Sequence, residues 1–150
     1  MNPWSRPQTV AGFVQSPPNA TLMAFAERER ARGGTRLLDI GCGAARNAVL
    51  LAQSGWTVLG TDTSWPMLEA AAGRVREERL ERRLLLAAAP MDHLPVGDRS
   101  VDFVVAHGIW NLARSSAEFR AAVVEAARAA RPGAALFLFT FSRHTLPPDA

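Results

Sequence analysis

Residues 37–47 read Leu-Leu-Asp-Ile-Gly-Cys-Gly-Ala-Ala-Arg-Asn. An apolar strand runs into an acid, then into a Gly-x-Gly turn, then into an Ala-rich helix start. That order prescribes a strand–loop–helix unit whose turn presents backbone N–H groups to a ligand. The glycines let the chain turn sharply and leave no Cβ between the loop and whatever approaches it. The acid narrows the ligand. A loop built for diphosphate has no use for a carboxylate at its entrance, whereas a loop built for a cationic ligand does. A tight βα turn with no ligand is the competing reading of this stretch alone.

The rest of the chain alternates strand and helix. Strands are expected at 36–40, 57–60, 84–88, 101–106 and 134–141. Helices are expected at 20–32 behind an Asn19 cap, at 44–54, at 65–76 and at 116–130 before Pro132-Gly133. Strands separated by helices predict an α/β fold, a doubly wound parallel sheet with helices on both faces. The near-continuous apolar runs of the first, fourth and fifth strands suit strands covered on both sides. Residues 1–18 are punctuated by prolines and read as an irregular N-terminal segment, with Trp4, Phe13 and Val14 as packing points; 19–150 reads as one domain. The mixed-sign run 74–83 reads as a solvated helix end.

A second acid decides between the readings of the loop. Asp62 ends the second strand in Val58-Leu59-Gly60-Thr61-Asp62-Thr63-Ser64. In a doubly wound sheet that position lies beside the loop, where a carboxylate accepts both hydroxyl protons of a ribose. Capping the next helix is its alternative duty, but Ser64 or Thr63 is equally able to do that.

Together these residues resemble the class I S-adenosylmethionine-dependent methyltransferases. Asp39, Gly41, Gly43 and Asp62 match the family's acid-x-Gly-x-Gly-x-Gly loop and its second acid. Asp62-Thr63-Ser64-Trp65-Pro66-Met67-Leu68 is similar to the family's Asp-x-Ser-x-x-Met-Leu. Leu94-Pro95-Val96, Val101-Asp102-Phe103-Val104-Val105 and Arg131-Pro132-Gly133 continue the likeness over most of 35–141. The resemblance implies a Rossmann-like sheet of order 3-2-1-4-5. It implies S-adenosylmethionine as cofactor and S-adenosylhomocysteine as product. Gly41 and Gly43 would line the methionine part, with Asp39 supporting its ammonium and Asp62 holding the ribose. Thr63, Ser64 and Met67 would border the adenine, and Met91 and Asp92 would close its other side. His107 would end the fourth strand at the methionine end or the acceptor, and it is the candidate catalytic residue.

Three departures qualify the match. Ala45 stands at the third glycine. The acid after the third strand is displaced, with Asp92 two residues beyond Ala88-Ala89-Pro90. The chain stops at Ala150, so the sheet is expected to be truncated after its fifth strand, where the family has two more strands, one antiparallel. The apolar 135–141 strand is then an edge that calls for cover. A homodimer would supply it, or the chain is a truncated domain.

The acceptor is read by exclusion. The family's nucleic-acid amino-methylating enzymes carry Asn/Asp-Pro-Pro-aromatic where this chain has Ala106-His107-Gly108-Ile109, and the net charge of +3 is modest although all 17 basic residues are arginine. Both argue against nucleic acid and for a small-molecule acceptor. Trp110 is either the floor of an apolar acceptor site or a core aromatic, and Asn111 is a further candidate. His93 reads as a surface residue and His144 as a tail residue. Arg46-Asn47 after the glycines also resembles the tellurite and thiopurine branches, which points to a soft nucleophile. The single cysteine, Cys42, permits no internal disulfide, and the cytoplasm is expected. No signal peptide, membrane-spanning run or metal-ligand spacing is apparent, so no membrane association and no metal are expected. Two rivals remain. One is an NAD-dependent oxidoreductase, which needs Gly-x-Gly-x-x-Gly where position 46 is Arg. The other is a non-catalytic or truncated binding module of the same fold.

Overall fold

A computed structural model describes residues 2–141; His144 lies outside them. Five parallel strands form one sheet in the order β3-β2-β1-β4-β5, as the resemblance implies. The strands are β1 (Arg36–Ile40), β2 (Thr57–Asp62), β3 (Leu84–Ala88), β4 (Val101–His107) and β5 (Ala130–Phe139). The helices are α1 (Pro7–Gln15), α2 (Ala20–Ala31), α3 (Arg46–Gln53), α4 (Trp65–Glu77) and α5 (Ser116–Ala129).

Strand alternation builds two cores. Leu37, Val58, Phe103 and Val105 face Leu22, Ala26, Ala48, Leu51, Ala71 and Val75 of α2, α3 and α4, with the fully buried Trp56 among them. Leu38, Ile40, Val104 and Ala106 point the other way, onto Ala122, Ala126 and Ala129 of α5. The central strands are therefore apolar on both faces, because both faces are covered.

β2 runs two residues beyond the expected end, to Asp62, and three further boundaries differ from expectation. Residues 3–15 are ordered as a 3₁₀ turn (Pro3–Ser5) and α1. Pro3 and Pro7 sit at the first helical positions, where a missing N–H costs nothing, so they start helices instead of breaking them. Trp4 packs edge-on to Phe13, with centroids 5.9 Å apart. Helix α3 starts at Arg46, two residues late, because Ala45 is left-handed (φ 67°). Strand β5 begins at Ala130, directly after α5, and absorbs Arg131-Pro132-Gly133 as an irregularity between the Val101↔Ala130 and Phe103↔Ala135 pairs. Arg131 Nε donates to Asp102 there, holding the bulge against β4.

β5 pairs only with β4 and is an edge. Ala135 and Phe137 pack toward the α2 side, but Leu136 and Leu138 are nearly half exposed (49% and 47%). The expectation of cover on both sides therefore holds for β1 and β4 and not for β5. On its open side, no described element lies beyond it.

Candidate functional site

The carboxyl ends of β1, β2 and β4 open on a cavity of about 660 Å³. This is the crevice where open parallel sheets bind ligands, and the volume is well inside the range of ligand clefts. Gly41, Gly43, Asp62, Thr63, Met67, Met91, Asp92 and His107 all line it. Of the expected site residues, Asp39 and Ser64 do not.

The loop is shaped by alternating left-handed residues, Gly41 (φ 71°), Gly43 (φ 55°) and Ala45 (φ 67°). Gly41 is needed for close approach. A Cβ there would stand 2.8 Å from Ile109 side-chain atoms in the segment after β4. Gly43 is open, since a Cβ would meet only Met67 Sδ at 3.8 Å. Ala45 takes the conformation a third glycine would take, with its methyl buried in the core.

Asp62 secures this loop. Its Oδ2 accepts the Gly43 N–H at 2.9 Å and its Oδ1 accepts the Ser64 N–H at 2.8 Å. A carboxylate has about four acceptor positions, so two backbone bonds leave capacity for ligand hydroxyls. Capping of α4 falls to Ser64, whose Oγ accepts from the Met67 N–H. Ser64 is turned away from the cavity. Its Oγ faces Ser5 Oγ at 3.0 Å and the Trp4 carbonyl at 3.3 Å.

Asp39 is buried behind the loop. Burial, then the nearby Asp62 charge, push its carboxyl up to about 7, with Arg46 opposing. The same burial and the two carboxylates hold the Cys42 thiol well above its ordinary range, so this thiol is inert.

His107 is held from two sides. The Asn19 amide Nδ2 lies 3.0 Å from His107 Nε2. Asn19 Oδ1 already accepts the Leu22 N–H as the cap of α2, which orients the amide so that Nδ2 donates to the ring. Phe139 stacks on the imidazole at 4.5 Å and 9°. Burial, and then Arg46, lower the ring's pKa, so it is neutral with Nε2 as acceptor. Asn19 is itself anchored, its N–H donating to Asn47 Oδ1 at 2.9 Å.

The sequence did not single out Arg46, Asn19, Phe13 or Trp4 for the site. Arg46 lines the cavity, donates to the Pro17 carbonyl at 3.3 Å and lies 5.9 Å from the Phe13 ring centroid. Among the described residues it has no acidic partner at salt-bridge distance. The signal present in sequence was its place one residue after the loop. Trp110 is a core aromatic. It is buried in the α5-side core, edge-on to Phe119, and does not line the cavity. Asn111 does line it, and His93 is exposed.

The residues present suit a ligand with a cationic end and a ribose. Two carboxylates flank the loop, one buried and one at the wall, and Gly43 leaves its backbone bare. Among the described residues, no three His, Cys, Asp or Glu side chains cluster as metal ligands, and no helix is long and apolar enough to cross a membrane.

Comparison with known proteins agrees. The family model described as a methyltransferase domain matches residues 38–138. The methyltransferase GfsG of Streptomyces halstedii is 36% identical over 100 residues, 66% of this chain and 36% of that protein. A demethylmenaquinone methyltransferase of Corynebacterium efficiens is 33% identical over 122 residues, 81% of this chain and 48% of that one. The chain thus spans half or less of the length of these relatives. Among solved structures, S-adenosylmethionine-bound CalS10, an amino pentose methyltransferase of Micromonospora echinaspora, superposes with a TM-score of 0.70 at 28% identity, covering 81% of this chain and 50% of that one. Strand order, the acid-flanked glycine loop and these likenesses converge, and the chain belongs to the class I S-adenosylmethionine-dependent methyltransferase family.

Proposed function

We propose that this protein transfers a methyl group from S-adenosylmethionine to a small-molecule acceptor. The observation that carries the reading is the cavity formed where the Gly41–Gly43 loop meets Asp62, with Asp39 buried behind it. When bound, the cofactor supplies a methyl group on a sulfonium, already activated for in-line displacement.

The chain's part is to bind, orient and exclude water. Asp62 accepts the ribose hydroxyls while keeping the loop in place through the Gly43 N–H. Asp39 offsets the ammonium from behind the loop, directly or through water. Arg46, a guanidinium without an acidic partner among the described residues, faces the carboxylate of the same zwitterion. Thr63 and Met67 border the adenine, and Met91 and Asp92 close it from the segment after β3. His107 lies at the methionine end beside the acceptor space. Its Nε2 is occupied by Asn19, so it serves as a neutral, polar wall unless that bond is exchanged. The buried, unpaired Cys42 fits a reducing cytoplasm.

The test is labelled methyl transfer from S-adenosylmethionine to a panel of small nucleophiles. Transfer to a small molecule and not to DNA or RNA is expected. Tight S-adenosylhomocysteine binding with no transfer to any acceptor would favour a non-catalytic module.

A further inference from the structure

Asn19 does not line the cavity. It stands behind His107, and each of its polar groups has a partner. Its N–H donates to Asn47 Oδ1 at 2.9 Å, and its carbonyl accepts the Met23 N–H at 3.0 Å. Its Oδ1 accepts the Leu22 N–H at 3.0 Å, and its Nδ2 faces His107 Nε2 at 3.0 Å. Asn47 is buried in the first turn of α3, beside Arg46, and Arg46 donates to the Pro17 carbonyl. The segment entering α2 is therefore clamped to α3, and the Asn19 amide has one orientation.

That orientation sets the state of His107. An N–H donor can meet only an unprotonated ring nitrogen, so the ring proton sits on Nδ1. A second proton would set two donors against each other. Burial, and then the Arg46 charge on α3, also disfavour it, with the residue's own backbone opposing. Asp62 on β2, Asp92 after β3, and Arg114 and Glu118 at the start of α5 line the same cavity. Asp62 is bonded to the Gly43 and Ser64 N–H groups and Glu118 to Arg114. Among the described residues, the imidazole's side-chain hydrogen bond is to Asn19, and Phe139 on β5 covers its face without a charge.

The methionine end of the cofactor lies against this wall in the reading above, and it carries a sulfonium. An imidazolium beside Arg46 would set two cations against that sulfonium, and a neutral imidazole leaves one. Resting on the methyltransferase reading, we propose that Asn19 is a positioning residue that holds His107 uncharged, so that the site accepts the sulfonium of S-adenosylmethionine. S-adenosylmethionine and S-adenosylhomocysteine differ by a methyl group and one positive charge. A charged His107 therefore weakens the first more than the second.

Two substitutions separate this role from the cap of α2. Asn19→Asp keeps an oxygen for the Leu22 N–H, since Asp is a good N-cap. It replaces the donor facing Nε2 by an acceptor and so draws a proton onto the ring, while the new carboxylate stands behind the cavity. Asn19→Ser also keeps the cap but is too short to reach the ring. The imidazole 15N resonances of the 150-residue chain, assigned by their loss in His107→Gln, read tautomer and titration with no ligand present. Calorimetry at about pH 6 reads the affinities for S-adenosylmethionine and S-adenosylhomocysteine. The unsubstituted chain should show a neutral His107 with its proton on Nδ1. Asn19→Asp should raise the titration of His107 by about one pH unit or more and weaken S-adenosylmethionine relative to S-adenosylhomocysteine roughly fivefold. Asn19→Ser should release the tautomer, with a smaller rise. A proton on Nε2 in the unsubstituted chain, or a tautomer and titration that neither substitution moves, would overturn the proposal. So would charging of His107 in Asn19→Asp with an unchanged affinity ratio. Failure of the unsubstituted chain to bind either compound would instead sink the methyltransferase reading, and the resonances would still decide whether Asn19 sets the state of His107.

Discussion

Asp39 and Asp62 are carboxylates on neighbouring strand ends with opposite duties. Asp62 is tied to two backbone N–H groups and stays on the cavity wall. Replacing it by Asn leaves one acceptor oxygen for two N–H donors and the ribose. Charge-assisted hydrogen bonds carry about 1.5–3 kcal/mol each, so Asp62→Asn should weaken S-adenosylhomocysteine binding at least tenfold, measured by calorimetry. Asp39 is different, because burial raises its pKa to about 7. A raised carboxyl pKa costs the folded chain stability as pH climbs from the usual carboxylate value toward 7. A ligand ammonium favours the ionised form, so binding must release a proton below that pH. Affinity for S-adenosylhomocysteine should therefore rise with pH from 5.5 to about 7 and flatten above. A flat profile over that range would remove Asp39 from the binding site. Asp39, Gly41, Gly43 and Asp62 were legible in the sequence because motif and chain order alone bring them together. The Asn19–His107 bond spans 88 positions and the Arg46–Phe13 contact joins α3 to α1. No local pattern encodes either, since both depend on how α1 and α2 dock on the sheet.

The elements show where local rules and packing part company. The strand–helix alternation was readable because each period is supported by two apolar faces, as in Phe103 and Val105 against Val104 and Ala106. Helix α1 was not readable, since Pro7 is ambiguous in sequence between a break and a first helical residue. The start of β5 was hidden for a related reason, because the Arg131–Asp102 contact that holds the bulge is tertiary. Ala45 is the sharpest case. Its left-handed conformation costs about 1–2 kcal/mol, while its buried methyl contributes about 0.8 kcal/mol. Ala45→Gly removes both and adds unfolded-state freedom. Its stability in urea denaturation should change by no more than about 1 kcal/mol. Ala45→Val adds a β-branch at positive φ in a filled core and should destabilise by more than about 2 kcal/mol.

At the scale of the whole molecule, two acidic clamps join distant segments. Asp102 accepts the Thr35 and Arg36 N–H groups and the Arg131 guanidinium, tying β1 and β5 to β4. These bonds hold its carboxyl well below the usual range despite the opposing effect of desolvation. Glu125, lowered to about 2 chiefly by Arg128, also accepts the Leu94 N–H and so anchors the segment between β3 and β4 to α5. A lowered carboxylate pKa gives stability that is present above about pH 4 and lost as pH falls through the folded value. Acid unfolding should thus begin below pH 4, and Asp102→Ala should cost about 2 kcal/mol at pH 7 with a shallower acid dependence. The open β5 edge makes a further prediction. Its outer edge, unpaired among the described residues, and exposed Leu136 and Leu138 suit a second copy, so light scattering at high concentration should show a dimer; a monomer throughout would leave the edge to another segment or partner. Most directly, the glycine loop with Asp39 and Asp62 should hold a nucleoside joined through sulfur to a free amino acid, and not a dinucleotide. Calorimetric titration of the purified chain with S-adenosylhomocysteine and with NAD tests it. Saturable binding of one S-adenosylhomocysteine per chain, with no heat from NAD, is the predicted result. Saturable NAD binding with none of S-adenosylhomocysteine would contradict it.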